Sequence, residues 1–408
     1  MNPTELTACL EGKLPEYLDL LRQMVLINSW TQNISGVNQL GQFTAEVFGK
    51  LGFAAEFVPS TNPAYGNHLV LTRKGKTAKA VAMVSHLDTV YPPEEEERND
   101  FKWRVEGDRI YGPGTNDIKG GTMMMWFMLV ALRELEPDLF ESVTWSLFLN
   151  SSEEEYSPDF GGLCKQWLTS DTLAALVFES EGRLGEQHLV VSARKGRATW
   201  RVTVKGRGSH AGSKHSHGAN AIVQIGKTVQ QIAALTDYSR ELTVNVAIVH
   251  GGTVINRVPH EAVAEGEFRS FDPEVFEAAK SAILRLNGRG EVSSPVDRYA
   301  CNVQAEIRTV SRPWPKNEGS ELLSQVWDQA GAELGMLVGR QERGGLSDGN
   351  LIWDAVPTLD GLGPWGDNSH CSERSDDGSK EQEYIEVSGI VPKAAWNVVA
   401  LKKLLQSH

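Results

Sequence analysis

AVAMVSHLDTVYP, residues 80–92, is the stretch on which the fold turns. Ala80 to Ser85 form a short, uncharged, β-leaning run, the pattern of a strand buried on both faces in a parallel sheet. His86 and Asp88 follow at its C-terminal end. Strand side chains alternate with period two, so these two point to the same side of the chain and can share a partner. In open α/β sheets the carboxyl ends of strands are where ligands bind. An isolated His-x-Asp also fits a surface histidine beside a turn-forming aspartate, so the rest of the chain has to decide.

Working outward, strand-like runs at 69–73, 143–149, 174–179 and 188–193 alternate with helical segments at 118–134 and 162–170. That order predicts an α/β domain: a mainly parallel, mixed sheet flanked by helices. The order then changes to strand (198–205), helix (219–235), strand (242–249), strand (262–271), helix (273–287) and strand (301–309). This is the split βαβ series of a ferredoxin-like α+β domain. Helix signals at 319–334 and 388–405, with Gly-rich loops at 344–349 and 361–366, complete the first domain. The expected division is therefore 1–194 and 311–408 for the first domain, with 195–310 inserted.

With 408 residues and a formal net charge of −13, nucleic acid and anionic membrane are poor partners, since both need a basic footprint. Met1 to Trp30 mix charges through their apolar residues and offer no signal-peptide core, which reads as cytoplasmic. Met123 to Leu132 is too short to span a bilayer and is expected to be a core helix. Cysteines 9, 164, 301 and 371 form no C-x-x-C pair, which suits reduced thiols. The acidic EEEERND at 94–100 is expected to be a solvated loop.

More carboxylates gather where strands should end. Asp117 stands in YGPGTNDIKGG, 111–121, a loop forced by glycine and proline before a helix, where it could serve as cap or as ligand. The strand TWSLFLN runs into Glu153, Glu154 and Glu155, and LAALVFESE delivers Glu179 and Glu181. GPWGDNSHCSER, 363–374, presents His370 in a Gly-rich loop. Assembled at one sheet edge, these groups would build a large negative charge that divalent cations resolve. Imidazole with carboxylate suits zinc, and one shared carboxylate would place two ions about 3.5–4 Å apart.

The ordered set SHLDTV, YGPGTNDIKGG, NSSEEEYS, VFESEG, GSHAG, GGTVINRVP, GGLSDGN and NSHCSE resembles the zinc-dependent aminoacylase and carboxypeptidase superfamily. Glutamate carboxypeptidase, acetylornithine deacetylase and succinyl-diaminopimelate desuccinylase belong to it, and the likeness is greatest to the first branch. The resemblance implies two Zn2+ per chain, with Co2+ or Mn2+ as substitutes. His86 and Glu179 would hold one ion, Glu154 and His370 the other, with Asp117 bridging them. Glu153 matches the general base, and Asp88 the carboxylate that orients His86. Glu155 is read as solvated.

By the same likeness, 195–310 is a lid and dimerisation domain, and His210 reaches into the active site of a second copy to polarise the scissile carbonyl. His215 and His217 lie beside it, but only His210 matches the family motif. Asn256 and Arg269 match positions that hold the substrate's terminal carboxylate, and Gly345 and Ser347 in RGGLSDGN are expected to add to that site. The segment CSERSDDGSKEQEY after His370 is longer than the usual link, and Cys371 within it is expected to be a buried structural thiol. The implied activity is cleavage of a peptide or N-acyl amide bond next to a free carboxylate in a small substrate, by a homodimer. The alternatives are an N-acyl-amino-acid deacylase and, outside the enzymes, a non-catalytic metal-binding dimer.

Overall fold

The computed structural model describes residues 2–155 and 157–407. Two compact units emerge: one built from the chain up to Ser192, Lys316–Glu342 and the chain from Ser347 onward, the other from Ala193–Pro315 with Arg343–Leu346.

In the first unit a six-stranded sheet has the spatial order Ala54–Pro59, Asn67–Arg73, Thr144–Asn150, Ala80–His86, Thr172–Val177, Thr358–Leu359. Ala80–His86 is buried along its whole length and pairs in parallel with both neighbours, as its uncharged sequence requires. Its register sets His86 opposite Asn150, so two strands end level and release His86 and the Glu153 loop side by side. The remaining pairings make the sheet mixed: the Asn67–Arg73 strand runs antiparallel to both of its neighbours.

The helix Gly120–Leu135 is apolar all round and buried from Gly120 to Leu132, the pattern of a core helix, and its methionines are packing. Its N-terminus approaches the sheet so closely that a Cβ on Gly121 would lie 1.9 Å from the Phe178 carbonyl oxygen. Only glycine permits that contact, which sets Asp117 near the strand end that carries Glu179.

Three details differ from the sequence reading. Gln187–Arg194 pairs with Gly182–Leu184 and Val338–Arg343 in a separate three-stranded sheet, because an apolar run specifies burial but not which sheet accepts it. Ala54–Pro59 is an additional edge strand, largely exposed and so without the apolar pattern that would reveal it. The acidic 94–100 stretch contains a short helix, Pro93–Arg98, and is tied down: Asn28 donates to Glu96 at 2.8 Å.

The second unit is a ferredoxin-like α+β sandwich. Its antiparallel sheet has the order Thr243–Gly251, Glu261–Ser270, Gly196–Lys205, Ala300–Ser311, Gly288–Ser293, with helices Ala221–Ala233 and Pro273–Leu284. Trp200, Phe268 and Phe276 anchor its core. The outer strand Gly288–Ser293 lies between the expected helix 273–287 and strand 301–309, in residues to which the sequence reading gave no element. Among the described residues, no helix is long and apolar enough to cross a membrane.

Candidate metal centre

His86 is the last residue of its strand and is 1 % exposed. Its Nδ1 lies 3.0 Å from the backbone oxygen of Asp88, a contact that would turn the Nε2 lone pair towards a metal when one is bound. Nε2 faces Asp117 Oδ1 at 3.1 Å and Glu179 Oε1 at 3.9 Å. On the other side of Asp117, Oδ2 lies 3.3 Å from His370 Nε2, which is also 3.0 Å from Glu154 Oε2. Asp117 thus turns one oxygen to each imidazole.

The Asp88 carboxylate faces His86 and also does more than the sequence suggested. It is 3.5 Å from His86 Nδ1, while the carbonyl of the same residue is closer. Its oxygens accept from the backbone N–H of Glu153 (2.9 Å), the N–H of Glu154 (3.2 Å) and the hydroxyl of Thr31 (2.7 Å). Asp88 therefore holds the neighbouring histidine with its main chain and the two glutamates with its side chain. Thr31 carries no sequence signal for this part.

Burial and crowding set the charges. Glu153 is pushed well above the usual carboxylate range by burial, with Asp348, Glu179 and Glu154 adding to the effect. Burial and the adjacent Asp117 push Glu154 up to about 7. Burial would raise Asp117 as well, but the bonds to His370 and His86 hold it below the ordinary range. Asp117 and Glu154 in turn push His370 up to about 11, as negative charge crowded around an imidazole does. His370 itself sits at φ +67°, in the left-handed region that a non-glycine residue adopts at a cost, and such strain collects at functional sites.

Two groups, His86 with Asp117 and Glu179, and Asp117 with Glu154 and His370, each offer ligand atoms within 4.8 Å of one another. Glu154 Oε1 is buried with no hydrogen-bond partner, an acceptor left for a cation. The donor chemistry fits a pair of divalent metals.

Other candidate residues fall elsewhere. Glu155 is exposed. Glu181 turns away from the centre: it is 1 % exposed, 2.9 Å from His188 Nδ1 and 3.3 Å from the buried Lys393 ammonium. The strand ends at Val177, short of the run expected to deliver both Glu179 and Glu181 to the sheet edge. Cys371 is exposed, a correction to the buried thiol expected. Ser347 is buried and its hydroxyl donates to Asp360 at 2.8 Å.

Within the second unit, His210 is exposed on a short strand paired with Arg257–Val258, and Ala211 N–H donates to the Asn256 carbonyl at 3.0 Å. His210 Nδ1 accepts from the N–H groups of Gly212 and Ser213, both at 3.1 Å. Arg269 Nε donates to Glu267 at 2.7 Å and its Nη1 to the Gly344 carbonyl at 3.0 Å. Gly345 is exposed, its carbonyl accepting from Arg194 at 3.1 Å. His215 and His217 join no ligand group among the described residues.

A mixed α/β unit thus carries two imidazole–carboxylate clusters on a shared aspartate, a donor set that two divalent metals would suit. Comparison with known proteins finds similarity to peptidases and deacylases. Residues 192–290 match the M20 family model described as Peptidase dimerisation domain. Carboxypeptidase G2 of Pseudomonas sp. (strain RS-16) is 27% identical over 382 residues, 92% of this chain and 86% of that protein. Acetylornithine deacetylase of Erwinia tasmaniensis is 24% identical over 72% of this chain and 80% of its own length. The crystal structure of aminopeptidase PepT from Bacillus cereus superposes with a TM-score of 0.75 at 20% identity, covering 96% of this chain and 98% of PepT, a likeness of fold. The chain is thus similar to M20 peptidases and deacylases.

Proposed function

We propose that the chain is a dinuclear metallohydrolase that cuts a peptide or N-acyl amide bond beside a free carboxylate, as a carboxypeptidase does. The observation that carries this reading is Asp117, whose two oxygens face two different histidines. His86 with Glu179, and His370 with Glu154, would each hold one divalent cation. Zinc suits the mixed donors best, with Co2+ or Mn2+ as substitutes. When bound, the pair supplies Lewis acidity and a reactive water near neutral pH.

The chain's own groups do the rest. Glu153, adjacent to the centre and with a raised proton affinity, accepts the proton of the attacking water on its carboxylate and returns it to the departing amine nitrogen. Asp88 fixes the backbone from which Glu153 projects. The two amides that donate to His210 Nδ1 leave its proton on Nε2, an N–H suited to a carbonyl oxygen gaining negative charge. In this reading 195–310 is a lid and dimerisation domain, and His210 serves the site of a second copy. The match to a peptidase dimerisation model supports that role. Asn256, Arg269 and the Gly345–Ser347 turn would receive the substrate's terminal carboxylate. Four free cysteines support a reducing, cytoplasmic setting.

Similarity to acetylornithine deacetylase favours a second reading, an N-acyl-amino-acid deacylase with the same machinery. One experiment decides: metal analysis of the purified protein, together with turnover of peptidyl and acyl amino acids as free acids and as amides. Two metals and turnover of peptidyl acids are expected, and preference for short acyl groups would select the deacylase. Full activity without metal, or none with any metal, would overturn the proposal.

A further inference from the structure

The centre has a buried support that the ligand pattern does not reveal. Glu383 is fully buried, and its Oε1 accepts from two successive backbone amides, Asn116 N–H at 2.7 Å and Asp117 N–H at 3.0 Å. Its Oε2 accepts from the buried Tyr91 hydroxyl at 2.6 Å. The backbone N–H of Glu383 donates at 2.8 Å to the carbonyl of Cys371, the residue after His370. One residue therefore grips the main chain of the bridging aspartate with its side chain and the main chain beside His370 with its own amide.

We propose that Glu383 is a positioning residue for the metal pair: it fixes the peptide that aims Asp117 and closes the 371–383 loop that presents His370. This rests on the metal-centre reading above. A carboxylate accepting from two adjacent amides sets the orientation of that peptide more tightly than either bond alone, because rotation about one bond stretches the other. The two oxygens of Asp117 face different imidazoles, so a tilt of its backbone would loosen both clusters together.

The rest of the loop is anchored independently. Gln382 Nε2 donates to the Ser372 carbonyl at 2.8 Å and the Asn99 carbonyl at 3.0 Å, and Glu381 accepts from Tyr111 at 2.8 Å. Removing the Glu383 carboxylate therefore leaves the loop's other fastenings in place.

The test is metal affinity, read by competition with a chromophoric chelator and by the visible spectrum of the Co2+-loaded protein, for wild type and for Glu383→Gln, Glu383→Asp and Glu383→Ala. Glutamine keeps an oxygen for the two amides and can donate to Tyr91, so Glu383→Gln should bind metal within about threefold of wild type. Glu383→Ala should lose affinity by about 10- to 100-fold, the scale for groups that orient ligands, with an altered Co2+ spectrum. Should the alanine variant not fold, Glu383→Asp, one methylene too short to keep both amides, carries the same expectation. Wild-type affinity in the alanine or aspartate variant, or a loss in the glutamine variant as large as theirs, would overturn the proposal. Wild-type protein that binds no metal would instead refute the metal-centre reading, which separates the two failures.

Discussion

The proposed reacting groups and the proposed substrate-holding groups are prepared very differently. Around Asp117 the side chains of His86, Glu154 and Glu179 are largely buried, His370 comes in from an exposed loop, and the groups are already aimed at one another across 3.0–3.9 Å. In the second unit His210 and Asn256 are exposed, and Arg269 spends its guanidinium on Glu267 and a loop carbonyl. The contrast teaches where organisation is stored. Groups that must meet a cation are fixed in advance, because a buried carboxylate without one is costly. The groups proposed to meet the substrate hold their places with partners that a carboxylate could displace.

The largest expected effect tests the first half of that contrast. Glu153→Gln should cut kcat by at least about 10²-fold while metal content stays at wild-type level, because only proton transfer is lost. Glu154→Gln should lower metal content instead. Inductively coupled plasma analysis beside steady-state kinetics checks both, and an exchange of the two phenotypes would shift the assignment of base and ligand by one residue.

Next comes His210. A purified mixed dimer of His210→Ala and Glu153→Ala chains should turn over substrate roughly 10²-fold faster than either parent, since one of its sites joins an intact base to an intact N–H donor. Activity at the parents' level would confine His210 to its own chain or remove it from the reaction.

A smaller effect tests the exchangeable partners. Arg269→Ala should raise KM for acid substrates about tenfold, the worth of one charged hydrogen bond, with little change for the corresponding amides. Glu267→Gln, which releases the competing carboxylate, should lower KM for the same acids. Equal KM for acid and amide substrates in wild type would show that Arg269 only braces its strand.

The smallest effect concerns stability. Asp159 accepts from Thr61 N–H, Ser60 and His68 Nε2, while His68 Nδ1 takes the Ser151 amide at the root of the Glu153 loop. Burial opposes ionisation of Asp159, but these bonds hold its pKa at about 2. A depressed carboxylate contributes stability above its unfolded value, near 4, and loses it as pH falls towards 2. Asp159→Asn should therefore cost about 1 kcal/mol at pH 7 and progressively less towards pH 3, measured by denaturant unfolding. A constant difference across that range would assign the effect to packing.

What the sequence disclosed followed from how local each signal is. Ala80–His86 announced itself because burial on both faces excludes charge from a strand, so a histidine at its end stands out. Asp117 and His370 were visible through glycine-rich loops that only a special backbone needs. Glu181 was misplaced because the strand stops at Val177, and past that point the chain is free to turn a side chain away from the sheet edge. Glu383 was given no role by the sequence reading, since its work is done on amides of residues far away in the chain. The separate sheet of Gln187–Arg194 was hidden for a related reason: pairing partners are chosen by tertiary structure.

The inserted unit separates Glu179 from His370 along the chain, and that separation bears on how the protein is made. During synthesis His86, Asp117, Glu154 and Glu179 emerge first, and the intervening sandwich must be translated before His370 and Glu383 follow. A nascent chain at that stage carries a half-built acidic cup. In the two-metal reading, the group of His86, Asp117 and Glu179 would be made before the inserted unit, and the group that needs His370 only after it.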